Sequence, residues 1–491
     1  MNTLTQLATH WIGGHWVDAG EHRDSINPAT GEVIGQYAAA GLAEAQAAID
    51  AALSTFRKTS WKEDRLLRGR VLNTMANEFE RRTEDLAQVL ATENGKTLPQ
   101  ARFEISSVPR CLRFNAALAL TDYGRTSSIE PGHLSLITRQ AVGVSGIIAP
   151  WNSPVALVIR SLAPALAAGT TAVVMLPGQA AQSNNLMSEI MAKVKELPHG
   201  AVNTITGDRE AGNLLVTSRD VPVISFTGGT ATWRTISANA APRLKRLGLE
   251  LGGKTPMIIF DDADLRMAVD KVVEALIVFA GQFCMTGSRV LVQKAVAEQV
   301  RAELIKRLAA VKVGPASDPA SEMGPVIDKP NVARISKMVE EAIAAGAKPL
   351  LRGGAVTEMP LAKGSFYRPT LLEVFDSSLP IVQKEVFGPV LTLQVFETEA
   401  DAVALANNSE YGLSASIWSR DVDRPLRVAH ELESGTVWVN DWGSLYDQFE
   451  EGGFKQSGQG RMRGLAVMED FFEYKHIVLR PGYRLEGKGA V

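Results

Sequence analysis

The stretch VSGIIAPWNSPVALVIRSLAPALAAGTTAVVML, Val144–Leu176, decides how the chain folds. It opens on a short apolar run and turns at Pro150 and Pro154. A long alanine- and leucine-rich segment follows, Val155–Ala168, and the stretch closes on a second apolar run after Gly169. A short apolar run, an amphipathic segment of helical length and a second run predict a strand, a crossover helix and a parallel strand. The alternation continues downstream, with a helix over Asn184–Leu197 and strands at VNTIT and VISFTGG. The fold class is therefore α/β, a parallel sheet wrapped by helices.

After Gly252 and Gly253 the pattern restarts: MIIF, a helix over Leu265–Ala280, VLVQ, a helix over Ala295–Val311, and strands at Leu391–Val395 and Val437–Val439. A second α/β domain follows the first, as expected of 491 residues, too many for one hydrophobic core. Upstream, turn residues give way to charged, alanine-rich segments that predict helices over Leu42–Phe56 and Leu66–Thr92. Two isolated strand-like pieces remain, Ser127–Thr138 and the closing YKHIVLR. They suit a small accessory sheet whose edges a second subunit would cover.

Bulk properties narrow the function. A net charge of −3 provides no field for polyanions, so nucleic acid is not an expected partner. No apolar stretch reaches membrane-spanning length and the first residues do not read as a secretory signal, so the expected location is cytoplasmic. Cys111 and Cys284 are the only cysteines, and the seven histidines are scattered. No metal is expected.

Four segments carry groups suited to chemistry. Cys284 lies in FAGQFCMTGSR, a glycine-rich loop between a helix and a strand, whereas Cys111 lies in the apolar RCLRF. A loop cysteine is a nucleophile only if cations or oriented N–H groups stabilise its thiolate, and is otherwise inert. Glu250, in GLELGGKTP, is flanked by leucines at a strand end. Buried there, it would have a raised pKa suited to a general base; at an open sheet edge it would simply be solvated. Asn152, in APWNSP, is held between prolines as an oxyanion donor or as a plain turn residue. FTGGT, Phe226–Thr230, is a glycine turn opening a helix, a place for a phosphate, although it is not a GxGxxG fingerprint.

These segments, in this order and together with EVFGPV (Glu385–Val390) and EGGFKQSGQG (Glu451–Gly460), closely resemble the aldehyde dehydrogenase superfamily over nearly the whole chain. The resemblance implies a Rossmann-like cofactor domain (1–118 and 142–252), a catalytic domain (253–467) and a small oligomerisation sheet (119–141 and 468–491) in a homodimer or homotetramer. It implies oxidation of a small-molecule aldehyde to an acid, with Cys284 as nucleophile, Glu250 as base and Asn152 as oxyanion donor. NAD is the implied cofactor, with NADP as the alternative. Around it the family pattern sets Trp151, Leu176, Gln179, Thr227, Gly228 and Gly229, then Trp233, Leu251, Gly252, Glu385 and Phe387.

Several positions depart from the pattern. Leu176 and Gln179 stand where members commonly carry Lys and Glu at the adenosine ribose, Trp233 replaces a glycine, and Met462 replaces an acidic residue. With leucine at position 176 the cation that would favour a 2′-phosphate is absent, which points to NAD over NADP. Ser153, Leu157, Arg160, Phe283, Met285, Leu445 and Glu451 fall around the aldehyde channel. Ser153 where many members have Phe opens one wall, and a mostly apolar lining suits a medium-sized apolar or aromatic aldehyde. The alternatives are a semialdehyde dehydrogenase in which Arg160 holds a distal carboxylate, a CoA-acylating member, which Glu250 argues against, and a non-catalytic member of the fold.

Overall fold

The computed structural model describes residue 4, residues 7–121 and residues 123–480. Four helices precede the sheets: α1 (Leu42–Lys58), α2 (Arg65–Arg81), α3 (Thr83–Asn94) and α4 (Leu98–Thr121). The single helix expected over Leu66–Thr92 is thus two. Arg81 lies in the last turn of α2 and Glu84 and Asp85 in the first turn of α3. Each charge opposes the dipole end it sits on, which favours a break at Arg82 over a continuous helix.

Five parallel strands form the centre of the first sheet: β1 (Val144–Ile148), β2 (Thr171–Leu176), β3 (Val202–Thr206), β4 (Val223–Thr227) and β5 (Arg246–Glu250), in the order β5-β4-β1-β2-β3, with short antiparallel strands at both edges. Helices α5 (Pro154–Ala168), α6 (Ala181–Met191), α7 (Arg209–Thr217) and α8 (Thr230–Ala240) connect them. Strand β2 shows why its sequence is apolar throughout. Ala172, Val174 and Leu176 pack into the core shared with α2–α6, while Val173 and Met175 pack into the core shared with α1 and α7.

The second sheet runs β8-β9-β7-β6-β10-β11, built from β6 (Pro256–Ile259), β7 (Arg289–Gln293), β8 (Thr370–Glu373), β9 (Val390–Phe396), β10 (Ser414–Trp418) and β11 (Thr436–Val439), with Lys348–Leu351 antiparallel at one edge. Helices α9 (Leu265–Ile277), α10 (Ala297–Ala309) and α11 (Lys329–Ala344) belong to this half. The third sheet pairs Phe472–Leu479 antiparallel with Leu134–Ala141, which also pairs with Arg125–Ser127. Two strands far apart in sequence do share an accessory sheet.

Two boundaries differ from expectation. Gly458–Gln459 pairs with β5, and Met462 and Val467 lie in the core of the first sheet, so residues 458–467 pack with the cofactor half and not with the catalytic half. They are drawn there because Leu251 N–H donates to Ser457 O, and Ser457 Oγ to Gly252 O. Helix α9 stops at Ile277, short of Ala280, because Phe279, Ala280 and Gly281 all take positive φ. That bend aims the following cysteine loop. Among the described residues no helix is long and apolar enough to cross a membrane, and no cluster of His, Cys, Asp and Glu could hold a metal ion.

The start of α6 is buried and depends on a distant carboxylate. Glu93 accepts from Gln182 N, Ser183 N, Ser183 Oγ and Ser25 Oγ at 2.7 to 3.1 Å. Removing it strands four donors, each costly when buried. Glu93→Ala is expected to lower unfolding free energy by more than ~2 kcal/mol in urea denaturation, and Glu93→Gln by less, because an acceptor oxygen remains.

Candidate active site

In the first sheet the chain leaves β1 toward β2 on one side, while β4 lies on the other. A crevice opens outside the carboxyl ends at such a switch point, where α/β proteins bind ligands. Thr227 closes β4 and is the register partner of Glu250, which closes β5. Asn152 follows β1 in the turn before α5 and is 4% exposed. The structure therefore brings three of the sequence candidates to one edge.

The cysteine loop reaches this edge from the other half. Asn152 Nδ2 donates to Gln282 O at 3.0 Å, two residues ahead of Cys284. Gln282 is itself fixed: its Nε2 donates to Phe279 O at 2.9 Å and its Oε1 accepts from Ile327 N at 2.8 Å. From the β5 side, Gly253 lies so close that a Cβ there would stand 2.5 Å from Cys284 O. Glycine is required for that approach.

Cys284 is partly exposed. Burial and the carboxylates of Glu451, Glu385 and Glu250 push its thiol pKa up, and Arg160 opposes them. The positive surroundings expected of a nucleophile are thus outweighed. Cys111 is buried in α4 and pushed up to about 12, chiefly by burial. Glu250 is 3% exposed and its Oε1 has no partner. Burial raises its pKa well above the carboxylate range, with Arg160 opposing. The solvated-edge alternative for Glu250 is excluded.

Beside them runs a buried chain of alternating charge. Arg160 donates to Glu451 Oε1 at 2.7 Å and to Thr227 Oγ1 at 3.0 Å, Arg463 donates to Glu451 Oε2 at 2.7 Å, and Arg463 also pairs with Asp447. Arg463 and Asp447 were not singled out in the sequence.

The four helices α5–α8 start from the carboxyl edge of the first sheet, and their N-termini differ. Glu104 bonds the first turn of α5, Glu93 that of α6 and Asp208 that of α7, whereas α8 has no side-chain cap. A Cβ on Gly229 there would meet nothing within 4 Å. Gly228 N–H donates to Glu250 O, and the uncapped first turn of α8 beyond it, beside open space at Gly229, suits a phosphate. Trp233, one turn into α8, is half-buried, and its indole N–H is buried without a partner. At the other end of the crevice, the Trp151 and Phe387 rings meet edge to face at 5.6 Å, and Glu385 accepts from Gly253 N at 3.2 Å. Gly252 leaves room for that carboxylate, since a Cβ would stand 2.3 Å from Glu385 Oε2. Leu251 is buried and Gln179 exposed. Leu176 is fully enclosed in the first core and offers no surface to a ligand, contrary to expectation, because alternation along β2 turns its side chain toward α5 and α6.

Of the channel residues, Leu157 and Leu445 are half-buried, and Phe283 stands edge-on to Phe279 at 5.8 Å and to Trp442 at 6.1 Å. Met285 corrects the expectation: it is fully enclosed in the catalytic core, and it is its carbonyl, not its side chain, that makes a contact there, accepting from Trp442 Nε1. Ser153 is 6% exposed and its hydroxyl accepts from Lys96 Nζ, so it is turned into the wall. Lys96, Glu104 and Asn94 escaped the sequence reading, although ENGK, with its polar residues beside a glycine, was the available signal.

The family model for the aldehyde dehydrogenase family matches residues 16–477. The chain is 39% identical to betaine aldehyde dehydrogenase of Bacillus subtilis, covering 96% of each. It is 36% identical to 2-aminomuconic semialdehyde dehydrogenase of Danio rerio, covering 96% of this chain and 98% of the relative. Among solved structures it resembles betaine aldehyde dehydrogenase of Staphylococcus aureus in complex with NAD+, with TM-score 0.95 and 36% identity over 98% of this chain and 96% of that one.

The close approach of Gly253 yields a test. Gly253→Ala forces the Cys284 backbone to move, and misplacement on this scale costs ~10²-fold in rate. Steady-state kcat/KM is expected to fall by about that factor and the melting temperature to drop with it, because the added Cβ meets backbone and not a flexible side-chain end.

Proposed function

The chain belongs to the aldehyde dehydrogenase family and is an NAD(P)-dependent aldehyde dehydrogenase, and we propose that Cys284, Glu250 and Asn152 carry its chemistry. The observation that carries this reading is the buried carboxylate of Glu250 with a free oxygen, on the same crevice edge as an amide bonded to the cysteine loop. A buried carboxylate without a partner is expensive and calls for a reason. A general base is that reason.

The Cys284 thiol gives its proton to solvent water and the sulfur attacks the aldehyde carbon, Arg160 favouring the thiolate against burial and the neighbouring carboxylates. Asn152 spends one amide hydrogen on Gln282 and has the other for the developing oxyanion, a contact of the kind worth ~3 kcal/mol. NAD+, when bound, accepts hydride from that carbon. The open start of α8 and Gly229 would hold its phosphates, and Glu385, Trp151 and Phe387 would hold and wall the nicotinamide end. Glu250 then takes a proton from water, which releases the acid and restores Cys284. A thiol acceptor such as CoA would need no such base.

For the substrate we infer a medium-sized apolar or aromatic aldehyde. Arg160 is 4% exposed and already paired with Glu451, so it is poorly placed to anchor a distal carboxylate. The perpendicular Phe283 and Trp442 rings favour a second reading, an aldehyde bearing a quaternary ammonium group, held by cation–π attraction. The outer edge of Phe472–Leu479, with Tyr474, Ile477, Val478 and Leu479 exposed, supports a homodimer or homotetramer, a mass that light scattering reads directly.

Two outcomes are expected. Glu250→Gln gives a burst of reduced cofactor and then a stall, with acyl-enzyme visible by intact mass; loss of the burst would assign Glu250 to an earlier step. Because the Glu250 pKa is raised, its base form grows as pH climbs well beyond the ordinary carboxylate value of about 4, so wild-type deacylation rises over that window and the variant's does not. In the second, benzaldehyde or hexanal exceeds acetaldehyde by ~10-fold or more in kcat/KM, with betaine aldehyde and succinic semialdehyde in the same panel. Succinic semialdehyde as best substrate, lost selectively in Arg160→Leu, would overturn this assignment.

A further inference from the structure

The turn that carries Asn152 is gripped from behind by residues outside the crevice. Asn94 Nδ2 donates to Trp151 O at 2.6 Å. Lys96 Nζ donates to Ser153 Oγ at 3.2 Å and pairs with Glu104, both side chains being 1% exposed. Glu104 Oε1 in turn accepts from Val155 N at 3.1 Å and Ala156 N at 3.2 Å, capping α5 in place of Ser153, which makes no cap of its own.

The same ammonium touches the other half of the site. Lys96 Nζ sits 3.6 Å from the centre of the Phe279 ring. Phe279 has φ of 49°, begins the bend that aims the cysteine loop, and gives its carbonyl to Gln282, whose own carbonyl takes the Asn152 amide. A cation on an aromatic face in a dry interior is a strong contact. Lys96 is thus bound at once to the residue after Asn152 and to the residue that turns the chain toward Cys284.

We propose that Lys96, held by Glu104, is a positioning residue that sets the Asn152 amide against the Cys284 sulfur without touching substrate or cofactor. This rests on the reading of Asn152 as oxyanion donor. The pair acts as a spacer between two loops from different sheets. Glu104 fixes where α5 begins, and Lys96 fixes how far the Phe279 bend stands from it. A purely structural pair would stabilise the fold without affecting the reaction through Asn152.

The test compares Lys96→Met, the charge-neutral Lys96→Met/Glu104→Gln, Asn152→Ala, and the charge-neutral pair combined with Asn152→Ala. The neutral pair avoids a lone buried charge and keeps an amide oxygen at position 104 to accept from the start of α5, so the test stays readable should Lys96→Met fail to fold. Read-outs are the burst rate, NAD+ affinity of the free enzyme by fluorescence, and melting temperature. The neutral pair is expected to slow the burst by ~10²-fold at unchanged NAD+ affinity, and to slow it no further in the Asn152→Ala background. An unchanged burst, or an equal slowing in both backgrounds, overturns the proposal. A burst unaffected by Asn152→Ala alone overturns the oxyanion assignment itself, and the proposal with it.

Discussion

One hydrogen bond, from the Asn152 amide to the Gln282 carbonyl, joins two sheets that fold from separate stretches of chain. Asn152 comes from the first α/β half and Gln282 from the second, and the groups proposed to react come together where these two loops meet. Everything nearby keeps that contact in place. The Phe279–Gly281 bend brings the cysteine loop up, and Gly252 and Gly253 let the connecting segment pass with no side chain between it and Cys284 or Glu385. A hydrogen bond of this kind contributes only ~1 kcal/mol net to stability, so its weight lies in geometry.

Charge around the site is managed by strict alternation. Arg160, Glu451, Arg463 and Asp447 neutralise one another in sequence, each buried charge meeting its opposite. Glu250 stands beside this chain with one oxygen unmatched. The contrast matters because desolvation without a partner raises a carboxylate pKa, while a partner holds it down, and both outcomes occur within one cluster: Glu250 is raised and Glu451 lowered. Two glutamates of identical chemistry are thereby given different protonation behaviour by their neighbours alone.

Helix starts follow a parallel logic. At α5 and α6 a remote glutamate satisfies the buried N–H groups, and at α7 an adjacent aspartate does. The start of α8 has no such side chain and faces open space at Gly229. Three of the helix ends meet protein carboxylates and the fourth does not, which is why the proposed reading seats the cofactor's phosphates there.

Much of this was written locally in the chain. The apolar runs of β1 to β5, the helices between them, the glycine turns at FTGGT and LELGG, and the contrast between the two cysteines are patterns over a few neighbouring residues, and the rules that shape them act over the same range. What the sequence could not decide was the environment each side chain meets. Leu176 and Met285 look like lining residues until the packing encloses them, and Glu104 acquires its role only by reaching a helix start 51 positions on. The break at Arg82 and the return of residues 458–467 to the first sheet belong to the same class. By itself the sequence determined which elements form, their order and the residue types at their ends, because those follow from local periodicity and turn chemistry; tertiary structure decided burial, pairing and proton affinity, because these depend on which surfaces the two sheets bring within a few ångströms of each other.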